Sequence, residues 1–405
     1  MTRRRFPRWD ELRPYLRTGP LRLSPVERRL ASAASIRDLR AIARRCVPRA
    51  VFDYVDGAAE TEASLRRSRD AFARVEFVPS VLRDVSVVDT STTLLGRPSA
   101  LPLAFAPTGF TRLMHADGDA AVARVAGRLG IPYALSTLGT VSPEDVAAAA
   151  PDTDKWFQLY LWHDREAGID LVRRARAAGF RALVLTVDTP VAGARLRDVR
   201  NGFTIPPTLS LRTLIDIGLH PGWWFDKLTT EPLRFGVFDR TDGTVADLID
   251  RVFDPTITLA DLGRLRDAWD GPIVVKGIQT VEDARSVADA GADAIVVSNH
   301  GGRQLDRAPT PLECLPAIVA AVGERVEVYV DGGVLSGADV VAAVALGARA
   351  VLVGRAYLYG LMAGGERGVF RAGELLEQDV VRTMRLLGVS QVAGLTPGRV
   401  ALRAP

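Results

Sequence analysis

The sequence predicts an α/β protein built as a closed (β/α)8 barrel, on three observations. From about residue 100 onward, short apolar runs alternate with alanine-rich amphipathic segments; the runs number eight; and most of the segments between them end in glycine. Continuous apolar strands alternating with helices imply a parallel sheet covered on both faces, and eight such units imply closure. An open doubly wound sheet is the alternative. It would usually show fewer repeats and a GxGxxG turn after its first strand.

In chain order the runs are "LPLAFAP" (101–107), "IPYALS" (131–136), "KWFQLY" (155–160), "RALVLTVD" (181–188), "GPIVVKG" (271–277), "DAIVVSN" (293–299), "VEVYVDGG" (326–333) and "RAVLVGR" (349–355). Segments such as "DGDAAVARVAGRLG" and "SGADVVAAVALGA" carry their glycines where helix C-caps belong. Residues 1–100 are expected to form an arginine-rich arm and a helical extension packed on the barrel, and residues 101–405 the TIM barrel, with a long insertion at about 202–258 after the fourth strand.

Composition limits the function classes. The 405 residues are 47% apolar and 25% charged, an ordinary globular balance. No run approaches the ~20 apolar residues of a membrane span, and the N-terminus lacks the apolar core of a secretory signal, so a cytoplasmic protein is expected. Cys46 and Cys314 make neither a disulfide framework nor a zinc pattern, and no metal is expected. The net charge of +4 hides an asymmetry, since residues 1–50 hold 14 arginines against four acids. Such an arm suits anionic lipid headgroups or a solvated helix. Nucleic acid is not expected as a partner, because no aromatic-interleaved basic platform accompanies the charge.

A barrel should gather its chemistry just after the strands, at the C-terminal face. After the first strand comes "PTGF" (107–110) and after the second "STLGT" (136–140). The third ends in Gln158 and Tyr160, the fourth in Asp188 with Arg195 seven residues on, and the fifth in Lys276. His300 and Arg303 follow the sixth, Asp331, Gly332 and Gly333 the seventh, Gly354 and Arg355 the eighth. Glycine-rich turns after strands seven and eight form the usual phosphate site of a barrel, to which Arg355 adds charge. Lys276 ends a buried strand, where a lysine is costly unless an anion meets it. These features suggest a phosphorylated, electron-accepting cofactor. Arg195 and Arg303 suit a substrate carboxylate. His300 then becomes a proton acceptor and Asp188 the holder of its imidazolium. Taken singly, each has a plainer reading, such as a surface histidine or a helix-capping aspartate.

"SNHGGRQLD", with "FQLY", "TVDTP", "VVKGI", "DGGV" and "VGRAYLYG", resembles the FMN-dependent α-hydroxy-acid oxidising family, which includes glycolate oxidase, lactate oxidase, mandelate dehydrogenase and bacterial respiratory L-lactate dehydrogenase. The similarity runs from about residue 35 to 395. "FDYVDGAAE", "APTGFTRLMH" and "VDTPVAGARLRDVRNGF" most resemble the quinone-linked lactate dehydrogenases of actinobacterial type. The resemblance implies FMN as cofactor, L-lactate as substrate, a membrane quinone as electron acceptor and a homotetramer. Peroxide-forming oxidases and mandelate-type dehydrogenases are the alternatives within it. An FMN barrel of isomerase type is disfavoured by the Arg195 and Arg303 pair, and a metabolite-binding sensor by the presence of His300.

Transferred onto matching positions, the resemblance makes His300 the base, Asp188 its partner, and Arg195 and Arg303 the carboxylate ligands, helped by Tyr54, with Tyr160 near the substrate oxygen. Lys276 is placed by the N1 and C2 carbonyl edge of the flavin. Pro107, Thr108, Gly109, Ser136, Gln158, Thr186 and Ser298 are placed along the ring. Asp331, Gly332, Gly333, Gly354 and Arg355 are directed toward the ribityl phosphate. Three positions depart from relatives. Leu335 stands where the family often has arginine, Leu138 where glycolate oxidase has tryptophan, and Gly109 where oxidases tend to have alanine. Gly109 implies poor use of oxygen.

The insertion contains Trp223, Trp224 and Lys227 beside aliphatic residues. This set resembles an interfacial anchor, and in mandelate dehydrogenase the corresponding region attaches to the membrane. Peripheral attachment to the inner face of the membrane is one expectation. A lid that covers the flavin and packs on a neighbouring subunit is the other.

Overall fold

Eight parallel strands, buried on both faces, close into a cylinder. The computed structural model describes residues 5–16, 24–202, 210–233, 235–236 and 253–404. Two short pieces precede the barrel: strand β1 (Val75–Phe77) and a hairpin of β2 (Thr92–Leu94) and β3 (Arg97–Ser99). The barrel strands are β4 (Leu103–Phe105), β5 (Tyr133–Leu135), β6 (Lys155–Leu159), β7 (Ala182–Thr186), β8 (Ile273–Ile278), β9 (Ala294–Val297), β10 (Glu327–Asp331) and β11 (Ala350–Val353). All pair in parallel, and β11 returns to pair with β4, which excludes the open sheet. Each strand falls within its predicted apolar run, apart from one extra residue at the end of β8.

Side chains at period two divide between two environments. Ala104, Ala134, Ala182, Ala294 and Ala350 point inward with Trp156 and Tyr329, whose ring centroids lie 5.8 Å apart. Small residues on most strands leave room for these two rings, so the interior is packed and is not a pore. Leu103, Phe105, Leu183, Leu185, Val275, Val297, Val328 and Val351 face outward into the helix layer. Leu94, on the hairpin, is fully buried against the inward set and closes the floor of the cylinder. Arg181 holds the hairpin by donating to the carbonyls of Leu95 (2.7 Å) and Leu94 (3.3 Å).

The expected helices lie between the strands, at Gly118–Leu129, Arg165–Ala177, Val281–Asp289 and Gly337–Ala345. Gly130 ends the first of these in the left-handed region, at φ 65°, as a helix C-cap requires.

Among the described residues five α-helices precede the barrel: α1 (Trp9–Leu12), α2 (Pro25–Ala31), α3 (Ile36–Cys46), α4 (Arg49–Asp56) and α5 (Ala63–Ala73). Leu39, Ile42 and Ala43 of α3 are buried, and this helix packs along the C-terminal helical stretch Arg355–Leu387, which breaks at Gly364 and Gly365. Part of the basic N-terminal segment is spent on the protein itself. Arg29 donates twice to the Ala363 carbonyl, and Arg40 makes a two-pronged pair with buried Asp56 at 2.5 and 2.8 Å. Asp56 also accepts from Arg197 (3.0 Å) and the Tyr359 hydroxyl (2.8 Å), fastening α4 to the segment after β7 and to the C-terminal helical stretch. The C-terminal strand β12 (Val400–Leu402) returns to pair with β1.

In the insertion, Leu211–Gly218 and Pro221–Leu228 are helices; residues 203–209, 234 and 237–252 lie outside the described residues. The anchor reading of Trp223 and Lys227 needs correcting. The Trp223 indole donates to the Leu113 carbonyl (2.9 Å), and the Lys227 ammonium to the Arg112 carbonyl (2.5 Å) and Asp226 (2.9 Å), so both are tied inward. The outward apolar surface is made instead by Leu211, Leu214, Ile215, Leu219, Phe225 and Leu228, each more than half exposed. Among the described residues no helix is long and apolar enough to cross a membrane.

Candidate active site

The loop after β9 turns sharply because its residues take left-handed backbone angles. His300, Gly301 and Gly302 have φ of 56°, 64° and 77°. Asn299 fastens the turn, its side-chain oxygen accepting from the Gly302 amide (3.0 Å) and its amide group donating to the Ser68 hydroxyl of α5 (3.1 Å). Gly302 has no alternative, since a Cβ there would sit 2.8 Å from the Leu65 amide nitrogen.

This turn presents His300 to Asp188, at the end of the β7 run, with Nδ1 2.9 Å from the carboxylate. Nε2 faces the Tyr160 hydroxyl at 3.5 Å. An Nδ1 proton held by a carboxylate leaves Nε2 as the acceptor. Burial alone would raise the Asp188 pKa, but the charges of His300 and Lys276 outweigh it and hold the carboxyl below its ordinary value. Its second oxygen has no partner among the described residues. Gly277, at φ 114°, permits this approach, because a Cβ there would lie 2.7 Å from that of Asp188.

Two guanidinium groups converge beside the histidine. Arg303 lies 5.0 Å and Arg195 5.6 Å from the centre of the Tyr54 ring. Arg303 donates to the carbonyls of Tyr54 (2.6 Å) and Gly57 (3.2 Å), so it reads the end of α4. Burial and the neighbouring Arg195 push its pKa down to about 10. The carboxylate nearest Arg195 is Asp198, at 3.9 Å. Its own pKa is raised by burial in spite of both arginines. Positive charge therefore exceeds negative charge here, which suits an anionic ligand.

Lys276 meets its anion within the protein. Its ammonium lies 3.0 Å from Asp331 and 2.9 Å from the Ser298 hydroxyl. Burial would lower its pKa, but Asp331 and Asp188 raise it above the ordinary value. Ser298 also accepts from the His300 amide (3.0 Å), so base, lysine and Asp331 share one network.

These groups surround a cavity of about 450 Å³, within the range that holds a small ligand or cofactor. Tyr54, Tyr160, Arg195, His300 and Arg303 line it, as do Pro107, Thr108, Gly109, Ser136, Lys276, Asp331, Gly332, Gly333, Gly354 and Arg355. Gln158, Thr186, Asp188 and Ser298 adjoin that lining, through Ser136, Lys276 and His300. Gln158 accepts from Ser136 (3.1 Å) and the Thr137 amide (3.2 Å), while Thr108 bonds to the Tyr357 hydroxyl. Gln158 Nε2, Thr186 Oγ1 and Asp331 Oδ1 are buried without a hydrogen-bond partner among the described residues. Each such group costs roughly 1–3 kcal/mol, so the cavity is built for a ligand rich in donors and acceptors.

Some expectations change in detail. The Arg355 guanidinium spends its donors on the carbonyls of Val55 (2.9 Å), Gly301 (2.9 Å) and Gly57 (2.7 Å). The Leu335 amide is taken by Asp339 (2.8 Å), so that turn does not leave all its donors free. Asp198, Arg69 and Phe253 line the cavity and were not singled out from the sequence. Asp198 carried a faint signal, three residues from Arg195 on one helical turn. Arg69 carried none. Among the described residues no group of three or more His, Cys, Asp and Glu could hold a metal ion.

Comparison with known proteins agrees with this geometry. Residues 43–402 match the FMN-dependent dehydrogenase family. A Mycobacterium tuberculosis protein, provisionally named an L-lactate dehydrogenase, is 56% identical over 98% of this chain and 96% of its own length. A 4-hydroxymandelate oxidase of Amycolatopsis orientalis is 46% identical over 88% of this chain and 95% of its own. The crystal structure of the monotopic membrane protein (S)-mandelate dehydrogenase superposes with a TM-score of 0.88 at 39% identity, covering 92% of this chain and all of that one. With a family match over most of its length and a cavity at the barrel mouth lined by His300, Arg195, Arg303 and Lys276, the chain belongs to the FMN-dependent dehydrogenase family and is an FMN-carrying oxidoreductase.

Proposed function

We propose that the enzyme oxidises an L-2-hydroxy acid, L-lactate to pyruvate foremost, and passes the electrons to a membrane quinone. The observation that carries the substrate class is the convergence of His300, Arg195 and Arg303 on one cavity wall. A base beside two planar cations suits a molecule with a carboxylate next to a hydroxyl-bearing carbon. Relatives named L-lactate dehydrogenase support lactate within that class.

The residues present fit FMN. Unpartnered Gln158 Nε2 and Thr186 Oγ1 suit the polar edge of the isoalloxazine, and the free oxygen of Asp331 suits ribityl hydroxyls. When bound, FMN supplies the acceptor for the two electrons. Pro107, Thr108, Gly109, Ser136 and Ser298 would frame the ring, Lys276 would stand at its electron-rich edge, and Gly332, Gly333, Gly354 and Arg355 would hold the phosphate.

Arg195 and Arg303 hold the substrate carboxylate, assisted by Tyr54, and Tyr160 lies by the substrate oxygen. Asp188 fixes the His300 tautomer so that Nε2 accepts a proton from the substrate. C2 and its hydroxyl are both candidate donors, and the same atom serves either. The imidazolium then lies 2.9 Å from the Asp188 carboxylate, an ion pair that stabilises the charge as it forms.

The outward apolar face of the two insertion helices supports peripheral membrane attachment, where such side chains seat at headgroup level. The monotopic membrane protein among the similar structures supports it too. Deleting residues 210–232 should shift the enzyme out of the membrane fraction; an unchanged distribution removes the attachment. A homotetramer belongs to the same proposal and is read by light scattering.

The second reading is an oxidase, favoured by the 4-hydroxymandelate oxidase relative. Anaerobic mixing with a panel of hydroxy acids, followed by reoxidation with quinone or with air, decides between them. Fast bleaching by L-lactate and fast reoxidation by quinone are expected. Rapid peroxide formation in air would overturn the quinone assignment, and bleaching by mandelates alone would overturn lactate.

A further inference from the structure

We propose that Arg69, on helix α5 outside the barrel, is a phosphate-binding residue of the FMN site. The inference rests on the FMN assignment and on no feature of the substrate.

Arg69 lines the same cavity as Gly332, Gly333, Gly354 and Arg355. Helix α5 lies directly on the glycine turns. A Cβ on Gly333 would sit 2.6 Å from the Ser68 carbonyl oxygen, and one on Gly302 would sit 2.8 Å from the Leu65 nitrogen. Backbone contact this close fixes the neighbouring residue 69 at the cavity edge. The helix is held there by Asp306, which accepts from the Thr61 amide (3.1 Å) and the Ser64 amide (2.8 Å), and by the Asn299–Ser68 bond.

Charge then identifies what Arg69 meets. No described side chain pairs with it. Arg355 donates only to backbone carbonyls and has no carboxylate in contact among the described residues. Burial, and Arg69 among the nearby charges, lower the Arg355 pKa. Asp56 and Glu62 act on Arg355 only from a distance, and two cations with no carboxylate in hydrogen-bond contact among the described residues, set at glycine-rich turns, call for an anion. The phosphate monoester, with a charge of roughly −1.5 to −2, supplies it. The turn after β10 contributes no cation of its own, because Leu335 is apolar and its amide is engaged by Asp339.

The test reads flavin selectivity instead of turnover. Holoenzyme is equilibrated with mixtures of FMN and riboflavin, freed of unbound flavin by ultrafiltration, and the retained flavins are separated chromatographically. The wild type should retain FMN in preference. Arg69→Met should reduce the FMN-to-riboflavin ratio about 10- to 100-fold, the range of one or two lost charge-assisted bonds. Arg69→Lys should fall between the two. Adding Leu335→Arg to Arg69→Met should restore selectivity by supplying the cation from the other side. An unchanged ratio in Arg69→Met overturns the proposal. Equal loss of both flavins also overturns it, since that marks a helix that only shapes the site. Failure of the lactate assignment is read separately, from flavin bleaching by hydroxy acids, and has no bearing on how Arg69→Met changes this ratio.

Discussion

Replacing Asp188 with asparagine tests the catalytic pair with almost no change of shape. The carboxylate lies 2.9 Å from His300 Nδ1, and opposite unit charges at that separation interact by about 6 kcal/mol at an effective dielectric of ~20. Since each 1.36 kcal/mol is tenfold in rate, the loss corresponds to about 10⁴-fold. Part of it is tautomeric. An asparagine can turn its NH2 toward Nδ1, placing the histidine proton on Nε2, where the acceptor is needed. Nothing among the described residues opposes that rotation, because the second Asp188 oxygen has no partner. Anaerobic stopped-flow reduction by L-lactate should therefore slow by about 10³- to 10⁴-fold, with bound FMN content unchanged and substrate affinity altered no more than a few-fold. A loss under tenfold in flavin-replete enzyme refutes the assignment of Asp188 as the partner of the base.

Three further outcomes follow from other parts of the structure. Arg195→Met should raise KM about 10- to 100-fold with a smaller effect on kcat, the signature of lost ground-state binding to the carboxylate; Arg303 is a poorer probe because it also holds the Tyr54 and Gly57 carbonyls, and an unchanged KM refutes the clamp. Gly109→Ala places a Cβ 2.7 Å from that of Leu138 and 3.1 Å from its carbonyl oxygen, so overpacking should cost about 1–3 kcal/mol and lower the thermal midpoint; an unshifted midpoint means the loop yields freely. Asp56→Asn breaks a buried network and should cost about 3–5 kcal/mol in urea unfolding. Burial alone would raise the Asp56 pKa, but the bonds from Arg40 and Tyr359 hold it well below the ordinary carboxylate value. Its stabilisation is therefore complete above that ordinary value, about pH 4, and is lost as pH falls further. The stability gap between wild type and variant should narrow in that acid range, and a constant gap refutes the argument.

The barrel was legible because its strands are buried on both faces and so appear as uninterrupted apolar runs. "RALVLTVD" needs no partner strand to be recognised, and neither does the glycine that caps the helix after β4. His300, Arg303, Asp188 and Arg195 were legible as a set because each follows a strand, and a barrel brings strand ends together. What escaped was long-range and aperiodic. Arg69 lies more than 230 residues from the turns it adjoins, on a helix whose exposed arginines look alike in sequence. The inward docking of Trp223 and Lys227 was equally hidden, because the same amphipathic pattern serves a helix lying on a membrane or on the protein's own surface. The pairing of Lys276 with Asp331 reaches across β9, from β8 to β10, and needed the stagger of three strands to be known.

The plugged floor has a kinetic consequence. With Leu94 beneath Trp156 and Tyr329, the rear of the cylinder is sealed, so traffic to the cavity uses the loop end alone. Fuel and oxidant then share one doorway, and the prediction is that the spent acid departs before the acceptor draws near. Initial-velocity plots at several fixed acceptor levels should consequently run as parallel lines, the pattern of a two-stroke cycle.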